Sequence, residues 1–351
     1  YQEGGMSLWV LDKEAVAPFV TSMMGDYRVV GPVAKGIKFA FDQLEEVTDL
    51  RLDYDTSILP PKKYLQPQAE RMMTFTRTGK PTVDMVLEAP PTVILGIHTC
   101  DLHGIRVLDK AFSEGYPDAY YLERRKKTLL VSIECLNPCD EHSFCKSMGT
   151  LAVSTGYDLH LTDLGESYAV NTGSDAGAAL LEKYSAARRA EEADMKQLNR
   201  VMGAKWPRFP FKLDFDVGEL STLMAQSYDN PIWDRLAEIC LACGQCTLVC
   251  PTCFCFNVYD EVELNLQDGE RWRRWDSCQL DEFARVAGGE NFRKHQAARL
   301  RHRLMRKGRY LMERYHELGC TGCGRCARSC LVDISPVDVF NELHGCRVQG
   351  E

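Results

Sequence analysis

Short apolar runs bounded by polar turns alternate with stretches of helical periodicity through the first two-thirds of the chain. Thr92-Val-Ile-Leu-Gly-Ile97 and Thr128-Leu-Leu-Val-Ser-Ile133 are short, apolar and partly β-branched, which is the pattern of strands buried on both faces. The first leads into a helix over Ile105 to Phe112. Weaker β-like runs occupy Arg28-Val-Val30 and Lys38-Phe-Ala-Phe41, and Leu159-His-Leu-Thr162 with Tyr168-Ala-Val-Asn171 reads as a hairpin. Helical spacing covers Asp12 to Met24, with Asp12 placed as cap, then Gln68 to Phe75, then a charged amphipathic helix from Leu180 to Met202. Leu59 to Gln68 is barred from a regular helix, because its prolines lack donors and push their predecessors towards extended geometry.

This alternation predicts a mixed α/β domain over residues 1–225, with Trp206-Pro-Arg-Phe-Pro210 as linker. A second domain, residues 226–351, opens at Asp229-Asn230-Pro231-Ile-Trp233, with Asn230 as cap and Pro231 at the first helical position. Residues 251–319 look largely helical, and Arg293 to Arg314 is a basic helix, read either as a solvated face or as a docking surface for an acidic partner. The expected fold class is α+β, a mixed α/β domain followed by an α-helical domain. The formal net charge of −8 gives no reason to expect a nucleic-acid partner. The longest apolar runs are too short to span a bilayer, so no membrane insertion is expected. Tyr1-Gln-Glu-Gly-Gly5 reads as an incomplete start without a secretory signal.

The chain has 16 cysteines, and their spacing changes the picture. Cys240-Leu-Ala-Cys243-Gly-Gln-Cys246-Thr-Leu-Val-Cys250 and Cys320-Thr-Gly-Cys323-Gly-Arg-Cys326-Ala-Arg-Ser-Cys330 are two C-x2-C-x2-C-x3-C runs. Runs of this kind hold [4Fe–4S] clusters in bacterial-type ferredoxins, and the fourth cysteine of each crosses to the other cluster. The expected quartets are therefore Cys240, Cys243, Cys246 and Cys330, and Cys320, Cys323, Cys326 and Cys250. Zinc would take its thiolates as separate C-x2-C pairs, which leaves a structural zinc protein as the reading to be excluded by metal analysis. The length is wrong for a small disulfide scaffold, and metal-binding spacing points to a reducing, cytoplasmic setting.

Both candidate buried strands end in cysteine-bearing loops, as open α/β sheets place functional groups at their carboxyl edge. Cys100 follows the first, and Cys135, Cys139 and Cys145 follow the second, so these four are candidates for a third cluster. Asp101 is read as a helix cap, and His98 and His103 as structural. Cys253, Cys255 and Cys278 either hold part of a fourth cluster or line the space beside the second, and Cys346 reads as incidental.

The chain resembles the iron–sulfur beta subunit of cytosolic sulfhydrogenases, and is similarly close to the iron–sulfur component of anaerobic sulfite reductase. The resemblance rests on Pro60-Pro-Lys-Lys63, Gly96-Ile-His-Thr-Cys100-Asp101, the run from Cys240 to Cys255, Arg274-Trp-Asp-Ser-Cys278, Ala287-Gly-Gly-Glu-Asn-Phe-Arg293 and Gly322-Cys-Gly-Arg-Cys326. Two departures stand out: Ser143-Phe144-Cys145 where the family has Cys-Phe-Cys, and Leu331 after Cys330 where a proline is usual. The resemblance implies an electron-transfer subunit of an anaerobic, cytoplasmic oxidoreductase complex. Its partners would be a flavin- and NAD(P)-binding subunit carrying FAD and a catalytic hydrogenase, sulfite reductase or heterodisulfide-reductase-like module. The chain has no G-x-G-x-x-G after a strand, no P-loop and no nucleophile elbow, so no catalytic site of its own is evident. The alternative is an iron–sulfur enzyme whose substrate binds at an N-terminal cluster iron left open by the serine at 143.

Overall fold

A computed structural model describes residues 8–350, so the Tyr1-Gln-Glu-Gly-Gly5 start lies outside the described residues. The strands, in chain order, are β1 (Leu8–Asp12), β2 (Arg28–Lys35), β3 (Lys38–Gln43), β4 (Ala69–Thr76), β5 (Thr82–Met85) and β6 (Thr92–His98). Then come β7 (Thr128–Ile133), β8 (Leu159–Asp163), β9 (Ser167–Thr172), β10 (Arg188–Arg189), β11 (Phe256–Val262) and β12 (Asp268–Trp275).

Eight of them form one sheet in the order β10-β1-β9-β8-β7-β6-β2-β3. Its centre is parallel, β2 to β6 to β7 to β8, and both margins are antiparallel. Every residue of β6 is buried, as expected of a strand covered on both faces. One face packs Phe19, Val20 and Met23 of the helix Lys13–Met23 against Val93, Leu95 and Val131. The other packs Leu102, Ile105 and Leu108 of the helix Thr99–Ser113 against Ile94, Ile97 and Leu130. Gly96 interrupts β6 with φ +73 beside a register shift, and a Cβ there would meet Pro32 and Leu52 at 3.1 Å.

The second sheet, β11-β12-β4-β5, takes strands from both sides of residue 225, because β12 pairs antiparallel with β4. Two expectations change here. Gln68 to Phe75 is extended rather than helical, since its ladder partner arrives from far along the chain. Residues 251–319 are not largely helical before residue 296, because Phe256–Val262 and Asp268–Trp275 form a hairpin. Charged alternation conceals that hairpin in the sequence, and Arg271 grips Asp260 across it at 2.6 and 2.8 Å.

The long amphipathic helix expected over Leu180 to Met202 is two helices, Asp175–Tyr184 and Glu192–Lys205. Between them β10 leaves helical geometry to pair with β1, and Glu191 and Asp194 start the second helix with a reciprocal capping box. Asp12 flanks the first helix without a side-chain capping bond. Asn230 does cap, accepting from the Ile232 amide at 2.9 Å, but Pro231 stands just before the helix Ile232–Ile239.

A buried charge network fastens the second sheet to the first domain. Glu70 on β4 accepts from Arg124 at 2.5 Å and from Arg273 on β12 at 2.7 Å, and Arg273 also binds Asp118. Replacing Glu70 by Ala leaves the buried Arg124 without a carboxylate and Arg273 with Asp118 alone, and losing one partner of such a buried pair costs about 3–5 kcal/mol. Glu70→Ala should therefore lose about that much stability in urea unfolding, with protease cleavage appearing within residues 256–275.

Candidate metal centre

The two cysteine runs fold alike because each needs two left-handed residues to curl its backbone. In the first, Ala242 (φ +48) and Gly244 (φ +82) take that conformation; in the second, Gly322 (φ +66) and Gly324 (φ +72) do. Gly244 and Gly324 each precede a one-turn helix, Gln245–Leu248 and Arg325–Arg328, and the two short helices pack together. That pairing places the last cysteine of each run beside the first three of the other.

Cys240, Cys243, Cys246 and Cys330 line one cavity, with Leu300 and Arg303 from the helix Gln296–Met305 on its wall. The Ala242 amide donates to the Cys240 sulfur at 3.4 Å, and the Ile334 amide to the Cys330 sulfur at 3.3 Å. The Cys320 thiol lies in the field of Cys326, Cys323 and Cys250. Burial pushes the Cys323 thiol up to about 11 and the Cys246 thiol up to about 12. Such thiols stay protonated until a metal displaces the proton, so metal binding here releases protons.

The N-terminal cysteines form a third group. Burial raises the thiols of Cys100, Cys135, Cys139 and Cys145; Cys139 faces Cys135 and Cys145, and Cys135 lies beside Cys100. Cys139 therefore stands with the other three despite the serine at position 143, whose hydroxyl instead donates to the Asp140 carbonyl at 2.9 Å. Among the described residues, no three His, Cys, Asp or Glu side chains converge closely enough to chelate a single metal ion. A cubane cluster does not require that convergence, because each thiolate binds a different iron.

The third group sits against the second run. The Phe144 amide donates to the Gly322 carbonyl at 2.7 Å, and the Thr150 hydroxyl to the Thr321 carbonyl at 2.6 Å. A Cβ on Gly322 would meet Cys145 backbone at 2.7 Å, and one on Gly324 would meet His142 backbone at 2.7 Å. Gly104, one turn after Cys100, lets its helix close on Pro251, where a Cβ would meet the proline at 2.6 Å. Asp101 is not a cap. Its carboxylate takes a bidentate pair from Arg325 at 2.6 and 2.7 Å, both residues 1% exposed, while the Arg325 Nε–H donates to the Ser57 carbonyl at 2.9 Å. His98 stacks on Tyr54 at 4.2 Å, where burial takes its pKa down to about 4, and His103 bonds the Ala152 carbonyl at 3.0 Å.

Cys253, Cys255 and Cys278 lie beside the second quartet. Cys253 faces Cys250, and Cys255 faces Cys278 and Cys253. Cys346 is exposed on the helix Pro336–Gly350.

The basic helix is more than a solvated face. Arg299, Arg303 and Lys307 recur every fourth residue and all three are buried, Arg303 and Lys307 beside cysteines. Arg299 is matched by Asp281 at 2.8 Å, whereas the Lys307 ammonium lies 2.7 Å from the Thr252 hydroxyl and 3.2 Å from the Cys253 sulfur. Lys62, also buried, donates to the Cys253 carbonyl and lies over the Trp275 ring at 4.4 Å. Sequence reasoning missed these cations, although the four-residue recurrence of Arg299, Arg303 and Lys307 was there to be read.

Residues 239–334 match the 4Fe-4S dicluster domain. The chain is 34% identical over 317 residues to Sulfhydrogenase 2 subunit beta of Pyrococcus furiosus, covering 90% of this chain and 92% of that protein. No solved structure matches.

Because Gly322 touches Cys145 backbone while belonging to the second run, Gly322→Ala should disturb both neighbouring cysteine groups. Iron retained per chain should fall by more than one cluster's share, whereas Gly345→Ala, with open space around its Cα, should retain all of it.

Proposed function

The chain belongs to the sulfhydrogenase beta-subunit family, and on that footing we propose that it relays electrons between two other subunits of an oxidoreductase complex. One partner is a flavin- and NAD(P)-binding subunit carrying FAD, and the other a catalytic oxidoreductase subunit such as a hydrogenase, in a cytoplasmic setting. The thiolates of Cys240, Cys243, Cys246 and Cys330 hold one [4Fe–4S] cluster, those of Cys320, Cys323, Cys326 and Cys250 a second, and those of Cys100, Cys135, Cys139 and Cys145 a third. Bound there, the clusters supply reversible one-electron transfer.

One observation carries the reading: Cys330 of the second run lines the cavity made by the first three cysteines of the first. Independent zinc knuckles would have no need of that crossing. The protein's own part is to fix the thiolates, keep water from them and supply amide donors to sulfur, as at Ala242 and Ile334. No helix of the described residues is long and apolar enough to cross a membrane. The enzyme alternative needs a thiolate missing at the N-terminal group, and the position of Cys139 beside Cys135 and Cys145 favours the relay instead. Cys253, Cys255 and Cys278 are assigned to the lining beside the second cluster.

Anaerobic purification should yield a brown protein with roughly twelve iron and twelve sulfide per chain if three [4Fe–4S] clusters are held, and roughly eight of each if two. Cys243→Ser should remove one reduced-state paramagnetic resonance and leave the others. A colourless preparation carrying zinc would overturn the proposal.

A further inference from the structure

A buried cation needs an anion, a carboxylate where one is at hand. Two of the buried cations near the cysteines have one: Arg325 is matched by Asp101, and Lys205 by Glu134 at 2.5 Å. Both of those neutral pairs flank the N-terminal group. Arg303, Lys307 and Lys62 have no carboxylate partner among the described residues, although each is 3% exposed.

Their surroundings are sulfur. Arg303 lies in the field of Cys246 on one side and of Cys326, Cys253 and Cys250 on the other, and its Nε–H has no acceptor among the described residues. Lys307, one turn further along the helix, faces Cys250 and Cys253. Lys62 reaches the same place from the opposite side, through the segment Pro61–Tyr64. The unmatched positive charge of the interior thus gathers around Cys250, a member of the second quartet, and its neighbour Cys253, with Arg303 also facing Cys246 and Cys326.

We infer that Arg303 and Lys307, with Lys62, are positioning residues that make the cluster held by this quartet the most readily reduced of the set. The inference rests on the electron-transfer reading above. Uptake of one electron from the reduced electron-donating partner adds one negative charge to the quartet and its cluster, with no proton or bond exchanged. Burial opposes that added charge, and the fixed cations offset the cost most at this quartet, where all three act on Cys250. The N-terminal cluster, between neutral ion pairs, has no such help. The first C-terminal cluster shares Arg303 but has an exposed ligand in Cys243.

The test is a potentiometric titration of the anaerobically purified full chain, followed by paramagnetic resonance. Cys243→Ser, Cys323→Ser and Cys145→Ser identify the three resonances by the one each removes. In the unmodified protein, the resonance lost in Cys323→Ser should have the most positive midpoint. Lys307→Gln should move that midpoint to more negative potential and leave the resonance lost in Cys145→Ser in place. Arg303→Gln should move both C-terminal resonances, and Arg303→Lys should restore most of the shift. A different ordering in the unmodified protein overturns the inference, as does an iron-replete Lys307→Gln protein with an unmoved midpoint or an equal shift in all three resonances. Should Arg303→Gln fail to load iron, the unmodified ordering and Lys307→Gln still decide. Absence of every iron–sulfur resonance from the unmodified protein would instead overturn the electron-transfer reading itself.

Discussion

Arg325 is almost wholly removed from water, and its charge is matched and its guanidinium held by four hydrogen bonds that cross between the two halves of the chain. It projects from the second cysteine run, between Cys323 and Cys326, and closes on Asp101 next to Cys100. The same side chain reaches Ser57 through both its Nε–H and an Nη–H. Breaking such a pair leaves an uncompensated buried charge, so the contact fixes geometry whatever its net contribution to stability. The start of the helix Thr99–Ser113, the loop from Ser57 and the second run are held as one piece, and three groups of thiols acquire fixed relative positions.

The close approach has a steric condition as well as an electrostatic one. Gly322 and Gly324 curl the run with left-handed backbone and also leave room for the Cys145 loop, which a Cβ at either position would strike. The first run makes the same curl with Ala242 in place of a glycine. The two runs are thus alike in conformation and unlike in exposure. The first opens towards solvent at Cys243, and no cysteine of the second is exposed. That asymmetry suits a relay whose ends face different partners.

Thiols in an apolar interior resist ionisation, and here the protein meets that resistance in two ways. Backbone amides and the Lys307 ammonium donate to sulfur, and lysine and arginine are buried beside the cysteines without carboxylate partners. Where carboxylates are buried, as at Glu70, Asp101 and Glu134, each is matched by a cation from a distant part of the chain. Sulfur takes the place of the carboxylate in the middle of the molecule, and its neighbourhood is built for negative charge.

The sequence by itself determined the local curl of the two cysteine runs, because the spacing and the glycines act within one short loop, while the meeting of Cys330 with the first run depends on the packing of the two short helices. It also determined β6, β7 and the β8–β9 hairpin, whose apolar runs have one sensible environment. The placing of Cys100 and Cys135 at strand ends followed from the same pattern. Only the tertiary structure decided that Ala69–Thr76 is a strand, since its ladder partner lies at Asp268–Trp275 and local propensity cannot see it. Likewise, β10 breaks an apparently continuous helix because β1 offers it an edge. Cys139 beside Cys145, Arg325 on Asp101, and Arg303 and Lys307 turned inward are relations between distant residues. They arise when desolvation forces buried charge to find its partner, and that partner is fixed by packing rather than by nearness in the chain.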